Sequence, residues 1–131
     1  MSELYRTKVL MIDDEKLLLD LYKSKFESAG YEVYGCYSAD DGLNILRKGY
    51  EPDAILLDIT MPEKNGYEFM EACKRERLAQ KSMLIALTNE GQDAEIAHME
   101  ERGADALLIK ANYTPREVVT AVSNLLAERA Q

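Results

Sequence analysis

The sequence predicts an α/β domain built on a doubly wound parallel sheet of five strands, with helices on both faces. Short apolar runs alternate five times with segments of helical periodicity. Runs rich in Ile, Val and Leu are typical of strands buried on both faces of a parallel sheet. Such an alternation favours right-handed crossovers, which place helices on both faces. The four most apolar runs are Lys8–Ile12, Ala54–Leu57, Met83–Leu87 and Ala106–Ile109.

The first half of the chain predicts three strands and two helices. The first helix follows Ile12 and ends before Gly30, the preferred residue just past a helix end. Residues 32–37 form the second strand, and Ser38 with Asp41 begins a helix in the manner of a capping box that runs to about Lys48. The apolar residues that recur at helical spacing in the first helix are Leu18, Leu21, Tyr22, Phe26 and Ala29.

The second half predicts two further strands and three helices. Pro and Asn-Gly make Met61–Gly66 a loop, and a helix runs from there to about Glu76. A second helix, from about Asp93 to Arg102, ends at Gly103. Thr114–Glu117 combines a capping residue, a first-turn proline and a Glu, so the last helix begins there and runs almost to the C-terminus.

Composition excludes several classes of protein. A net charge of −8 argues against a nucleic-acid surface, which needs clustered Lys and Arg. No apolar stretch reaches the roughly 20 residues that cross a bilayer, and the N-terminus lacks the apolar core of a signal peptide. We therefore expect a cytosolic protein without membrane association, in which Cys36 and Cys73 are reduced thiols.

Polar residues follow four of the predicted strands, at the point where each strand ends. They are Asp13 and Asp14, Asp58, Thr88 and Lys110. Ligands of open parallel sheets bind outside the carboxyl ends of the strands. The pattern therefore predicts a site at one sheet edge, assembled from residues that are scattered through the sequence.

The chemistry of these groups indicates a cation and a phosphate. Three carboxylates form an oxygen site for a hard divalent cation, and so few protein ligands favour a hydrated Mg2+ over Ca2+. Lys110 at the same edge suggests that an anion is also bound, and phosphoryl transfer depends on neutralising such an anion. Thr88 would donate to a phosphoryl oxygen, and Asp58 would act as the nucleophile and form an acyl phosphate.

Together these residues resemble the receiver domains of bacterial two-component response regulators, in particular stand-alone chemotaxis receivers. The resemblance extends from about Lys8 to Glu128, and the spacings between the strand-end residues match the family. Leu57–Pro62 with Gly66 is similar to the phosphorylation loop of that family. The resemblance implies a flavodoxin-like sheet in the order 2-1-3-4-5. It also implies that residues 1–131 form a single receiver domain without an effector domain.

The resemblance implies a role for each site residue. Asp58 would accept the phosphoryl group from a sensor histidine kinase or a phosphotransfer protein. Asp14 and Asp58 would bind Mg2+ through carboxylates and Thr60 through its backbone carbonyl, while Asp13 would act largely through water. Thr88 and Lys110 would contact phosphoryl oxygens. An unidentified target protein would then recognise the surface formed by Asp93–Arg102, Ala106–Ile109 and Thr114–Leu126, so the domain would signal without being an enzyme in the ordinary sense.

Some positions depart from the family pattern. Leu107 replaces the usual switch aromatic, so we expect Thr88 to act through the loop that begins at Asn89. Ala111 replaces a proline, and we expect a trans bond before it because a cis bond before Ala costs about 2.5–4 kcal/mol. Thr60 and Glu90 occupy the positions that tune dephosphorylation in the family.

Three other functions are compatible with parts of the pattern. A phosphatase of the haloacid dehalogenase type also uses an Asp nucleophile, but its usual second Asp is Thr60 here. A flavodoxin-type module needs a phosphate cradle where this chain has the acidic Asp13–Glu15. A receiver-like adaptor that binds a partner without a phosphorylation switch is motivated by Leu107 and Ala111.

Overall fold

The computed structural model describes residues 6–59, 66–89 and 100–130. In these ranges, five strands form one parallel sheet in the order β2-β1-β3-β4-β5, which confirms the predicted class and order. The strands are β1 (Lys8–Ile12), β2 (Glu32–Cys36), β3 (Ala54–Asp58), β4 (Met83–Thr88) and β5 (Ala106–Ile109). The helices that lie wholly within these ranges are α1 (Lys16–Ser28), α2 (Ala39–Arg47), α3 (Gly66–Glu76) and α4 (Pro115–Arg129), and a short 3-10 helix spans Lys110–Asn112.

Two helical layers enclose the sheet. Successive side chains of a strand point to opposite faces, so neighbouring residues of β1 enter different cores. Val9 and Met11 pack with α1 and α4, around Phe26 and Val118. Leu10 packs on the other face with α2 and α3. None of the helices in the described ranges is long and apolar enough to cross a membrane.

The predicted two-sided burial is confirmed for the three central strands and is wrong for β5. In β5 the side chains of Ala106, Leu107 and Ile109 are half-buried, and Leu108 is buried. The reason is its position, since β5 pairs only with β4 and lies at the edge of the sheet.

The predicted apolar face of α1 also needs correction. Its buried residues are Leu19, Tyr22 and Phe26, which follow helical spacing, whereas Leu18 is half-buried and Leu21 and Ala29 are exposed, Leu21 by 44%. Because Leu17–Leu19 is an uninterrupted run of Leu, spacing alone did not identify which member faces the core.

The predicted helix ends are found wherever the structure describes them. Gly30 has φ +98°, a left-handed conformation that glycine adopts without steric cost, just past the end of α1. The Ser38 hydroxyl accepts a hydrogen bond from the backbone N–H of Asp41 at 3.1 Å. Thr114 and Glu117 form the reciprocal capping box at the start of α4. Most of the helix predicted over Asp93–Arg102 lies outside the described residues.

Candidate functional site

The site lies at the topological switch point of the sheet, where the strand order reverses. β1 pairs with β2 on one side and with β3 on the other, and Ile12 and Leu57 are register partners. The residues that follow these partners, Asp13 and Asp58, therefore end adjacent strands at the same edge. Such a crevice is where ligands bind in doubly wound sheets.

Asp13 and Asp58 are buried carboxylates, with 3% and 2% of their surface exposed. Asp13 is held through both its backbone and its side chain: its N–H donates to the carbonyl of Cys36 at 3.1 Å, and its Oδ1 accepts from the N–H of Glu15 at 2.9 Å. Asp14 is half-buried. Asp13 is thus oriented by backbone groups, while Asp14 is more exposed than Asp13 and Asp58.

The three acids fit a divalent cation. One carboxylate oxygen from each of Asp13, Asp14 and Asp58 lies within 4.8 Å of the others. These are the hard oxygen ligands that Mg2+ prefers, and three of them leave room for the waters that it retains. Bringing like charges together in a buried site is unfavourable, and a cation offsets that repulsion.

Lys110 lies between the two buried acids. Its Nζ is 3.2 Å from Asp13 Oδ2 and 3.6 Å from Asp58 Oδ2, and its side chain is 7% exposed. Burial by itself lowers the pKa of Lys110, but the charges of Asp13 and Asp58 and the hydrogen bond to Asp13 outweigh it, so the pKa lies above its usual value. Lys110 is therefore a fixed positive charge beside the predicted phosphoacceptor.

Thr88 completes the group of residues at this edge. It ends β4 and is buried, and its register partner is Ile109, the residue before Lys110. On the other side of β4, Asp58 is the partner of Leu87. Thr88 is consequently one residue beyond the row of Asp58, beside the strand that carries the lysine.

The positions that depart from the family pattern are only partly described. Leu107 is half-buried and packs against the core cluster on the α2–α3 face. The peptide bond between Lys110 and Ala111 is trans, as predicted. Asn89 is exposed. Thr60 and Glu90 lie outside the described residues, so their predicted roles stay predictions.

Sequence reasoning placed Tyr22 on the apolar face of the first helix but did not connect it with the site, and it did not predict an exposed pair of Leu residues on that helix. Tyr22 is buried, and its pKa is raised, first by burial and then by a balance between Lys110 and the nearby acids. Leu17 is 88% exposed and, with Leu21, lies on the outer face of α1 immediately after the acidic pair. The signal for the exposed pair was its position opposite Leu19 and Phe26 on the helix.

Comparisons with known proteins agree with this geometry. Residues 9–123 match the model of the response regulator receiver domain family. The response regulator SaeR of Staphylococcus aureus is 34% identical over 120 residues, which are 92% of this chain and 50% of that protein. The chain thus spans about half the length of the curated relatives it matches.

Solved structures show the same fold. The chemotaxis protein CheY4 of Vibrio cholerae superposes with a TM-score of 0.84 at 24% identity, covering 92% of this chain and 98% of that one. A CheY-like receiver domain protein from Methanospirillum hungatei gives a TM-score of 0.83 at 26% identity, with coverage of 96% and 98%. The chain belongs to the response regulator receiver domain family, whose members are phosphoacceptor domains of two-component signalling.

Proposed function

We propose that Asp58 accepts a phosphoryl group from a phosphohistidine of a sensor kinase or phosphotransfer protein. The observation that carries the proposal is the convergence of Asp13, Asp14 and Asp58, with Lys110 Nζ 3.6 Å from Asp58 Oδ2. Asp14 and Asp58, with the backbone carbonyl of Thr60, would hold Mg2+, and Asp13 would bind it through water. When bound, Mg2+ would neutralise charge on the transferred phosphoryl group.

In the proposed transfer, a carboxylate oxygen of Asp58 attacks phosphorus. The P–N bond to the donor imidazole breaks, and its electron pair returns to the nitrogen, which leaves an acyl phosphate on Asp58. Lys110 then exchanges its contact with Asp58 for one with a phosphoryl oxygen, a charge-assisted hydrogen bond. Thr88 donates its hydroxyl proton to another oxygen of the same group.

The surface next to the site supports a protein as the donor. Leu17 and Leu21 are one helical turn apart on the outer face of α1, the helix that follows Asp13 and Asp14 in the chain, and both expose apolar surface. Exposed apolar side chains of this kind mark surfaces that contact proteins, and a small-molecule donor would leave them uncovered. This supports a protein donor that docks on α1.

The proposed output is a phosphorylation-dependent contact with a target protein. A cavity of about 280 Å³ lies along the exposed edge of the sheet, between β5 and the segment that follows it. Leu107, Ile109 and Tyr113 line it with apolar side-chain surface. Because Leu107 replaces a switch aromatic, we expect Thr88 to shift the loop that begins at Asn89 and thereby change this edge. The stand-alone organisation and the cytosolic location stay predictions.

Trapping the acyl phosphate identifies the acceptor. The protein is treated with phosphoramidate and Mg2+, reduced with borohydride, digested and sequenced by mass spectrometry. Reduction converts a phosphorylated Asp to homoserine, which we expect at position 58 only. Homoserine at position 13 or 14 would contradict the assignment of the acceptor. Absence of homoserine at every position would favour the receiver-like adaptor.

A further inference from the structure

A second cavity lies at the end of the domain opposite the acids. Its volume is about 290 Å³, and residues near the amino ends of the central strands line it. Ile55 and Leu84, register partners in β3 and β4, form its floor together with Met70 and Leu78. This size is at the lower limit of small-molecule sites, which are mostly apolar with a few polar groups.

Basic side chains surround the cavity. Among the described residues, Lys74, Arg102 and Arg129 line it together with one carboxylate, Asp105, whose Oδ2 already accepts from the N–H of Leu84 at 2.8 Å. The chain as a whole has a net charge of −8, so the charge around this cavity is opposite in sign to that of the chain. Arg102 pairs only loosely with a neighbouring Glu at 3.8 Å, and both side chains are exposed. Arg102 also lies over the Tyr67 ring, 5.7 Å from its centroid, so it is partly engaged. Among the described residues no ion pair involves Lys74 or Arg129, so these two cations are available to a ligand.

The last turn of α3 and the residues that follow it contain one acid, and that acid is already paired. Residues 74–81 contain four basic residues and one acid, Glu76. Both carboxylate oxygens of Glu76 accept from the guanidinium of Arg47, at 2.7 and 2.8 Å. That bidentate pair neutralises the acid, so the positive charge of the segment is not cancelled from within.

The wall of the cavity also has an unusual backbone. Ala79 lines it with φ +51°, and Arg77 has φ +58°, a left-handed conformation that non-glycine residues rarely adopt. Each costs roughly 1–2 kcal/mol. Such conformations gather at ligand clamps and active sites, where the surrounding structure holds them in place.

We propose that this cavity binds a small organic acid, with the apolar body against Ile55 and Leu84 and the anionic head between Lys74 and Arg129. A ligand of about ten non-hydrogen atoms suits the volume, with a Kd of about 1 mM for a simple probe. The site is independent of Asp58. Carboxylate and phosphate heads share the required charge, so the test must separate the head from the body.

The test uses octanoate, neutral octanamide and inorganic phosphate as probes. Binding of each probe is measured by the NMR chemical-shift changes of the backbone amides of Leu84 and Asp105. Octanoate should shift both amides saturably, and the other two probes should bind at least about tenfold more weakly. Equal binding of octanamide would overturn the anionic head, and equal binding of phosphate would overturn the apolar body. No shift with octanoate at 10 times the expected Kd, about 10 mM, would overturn the site.

Paired variants test the residues. Lys74→Gln/Arg129→Gln should weaken octanoate binding about fivefold or more. The control Arg75→Gln/Arg116→Gln removes the same charges from α3 and α4 at positions that do not line the cavity, and it should bind as the parent does. If both double variants weaken binding equally, net charge alone attracts the probe and the proposal fails.

Discussion

Lys110 Nζ lies 3.2 Å from Asp13 Oδ2, although 97 residues separate them in the chain. The contact joins the ends of β1 and β5, two strands that are not neighbours in the sheet. Lys110 must cross the ends of β3 and β4 to reach Asp13, and it approaches Asp58 on the way. The three residues thus form one electrostatic unit, which a phosphoryl group on Asp58 would disturb.

Removal of Lys110 should destabilise the protein in the absence of Mg2+. In Lys110→Met, two buried carboxylates lose their cation, and we expect the free energy of unfolding in urea to fall by about 3 kcal/mol. Saturating Mg2+ should restore part of the loss because a second cation takes over the neutralisation. The exposed Lys81→Met is the control. A Lys110→Met variant as stable as the parent without Mg2+ would show that the ion pair contributes nothing.

Asp14→Ala should abolish the effect of Mg2+ on stability. For the parent, a ligand at 10 times its Kd adds about 1.4 kcal/mol to the free energy of unfolding. Without Mg2+ the variant should be at least as stable as the parent, since a like charge is gone. Calorimetric unfolding with and without Mg2+ measures both effects, with the exposed Glu51→Ala as the control. An unchanged response to Mg2+ in Asp14→Ala would remove this residue from the metal site.

Gly66→Ala should disturb the backbone next to the phosphoacceptor. A Cβ at Gly66 would lie 2.8 Å from the Cα of Ile59 and 3.1 Å from the carbonyl oxygen of Asp58, so backbone must move. At Gly35, the closest atom to a new Cβ is the Cδ2 of Leu19, at 2.7 Å, which is the end of a flexible side chain. We expect Gly66→Ala to cost about 2 kcal/mol more than Gly35→Ala in urea unfolding. Equal costs would mean that the start of α3 does not pack tightly against the backbone of Asp58 and Ile59.

The free energy of unfolding should fall at alkaline pH because the thiol of Cys36 is buried. Burial, with a smaller contribution from Asp41, raises the pKa of Cys36 from 9.0 to about 11. The unfolded chain therefore loses this proton from about pH 9, whereas the folded protein keeps it until about pH 11, so stability falls across that window. The loss is about 2–3 kcal/mol. Cys36→Ala should lack this part of the decline, and parallel stability curves of parent and variant would contradict it.

The proximity of the site residues could be predicted because the carboxyl ends of parallel strands lie at one edge of the sheet. Asp13, Asp58, Thr88 and Lys110 each follow a run whose composition marks a strand, so their proximity required only the sheet. The sequence did not predict which acid lies closer to the lysine, since that depends on side-chain conformations across four strands.

Other details depend on position within the finished sheet. Asp53 and Asp105 accept backbone N–H groups of Lys8 and Leu84, each at 2.8 Å, at the amino ends of the strands. These residues are aspartates, as the site acids are. The two groups differ in that one lies at the amino ends of the strands and the other at the carboxyl ends. The partial exposure of β5 was missed for a similar reason, because an apolar run does not reveal which strand is outermost.

Intact-mass analysis with phosphoramidate tests the central claim most directly. With Mg2+, the parent should gain the mass of one phosphoryl group, and Asp58→Asn should gain none under the same conditions. Chelation of Mg2+ should slow the labelling of the parent strongly. Labelling of Asp58→Asn to the extent of the parent, or no labelling of the parent with Mg2+ present, would contradict the assignment of Asp58 as the phosphoacceptor.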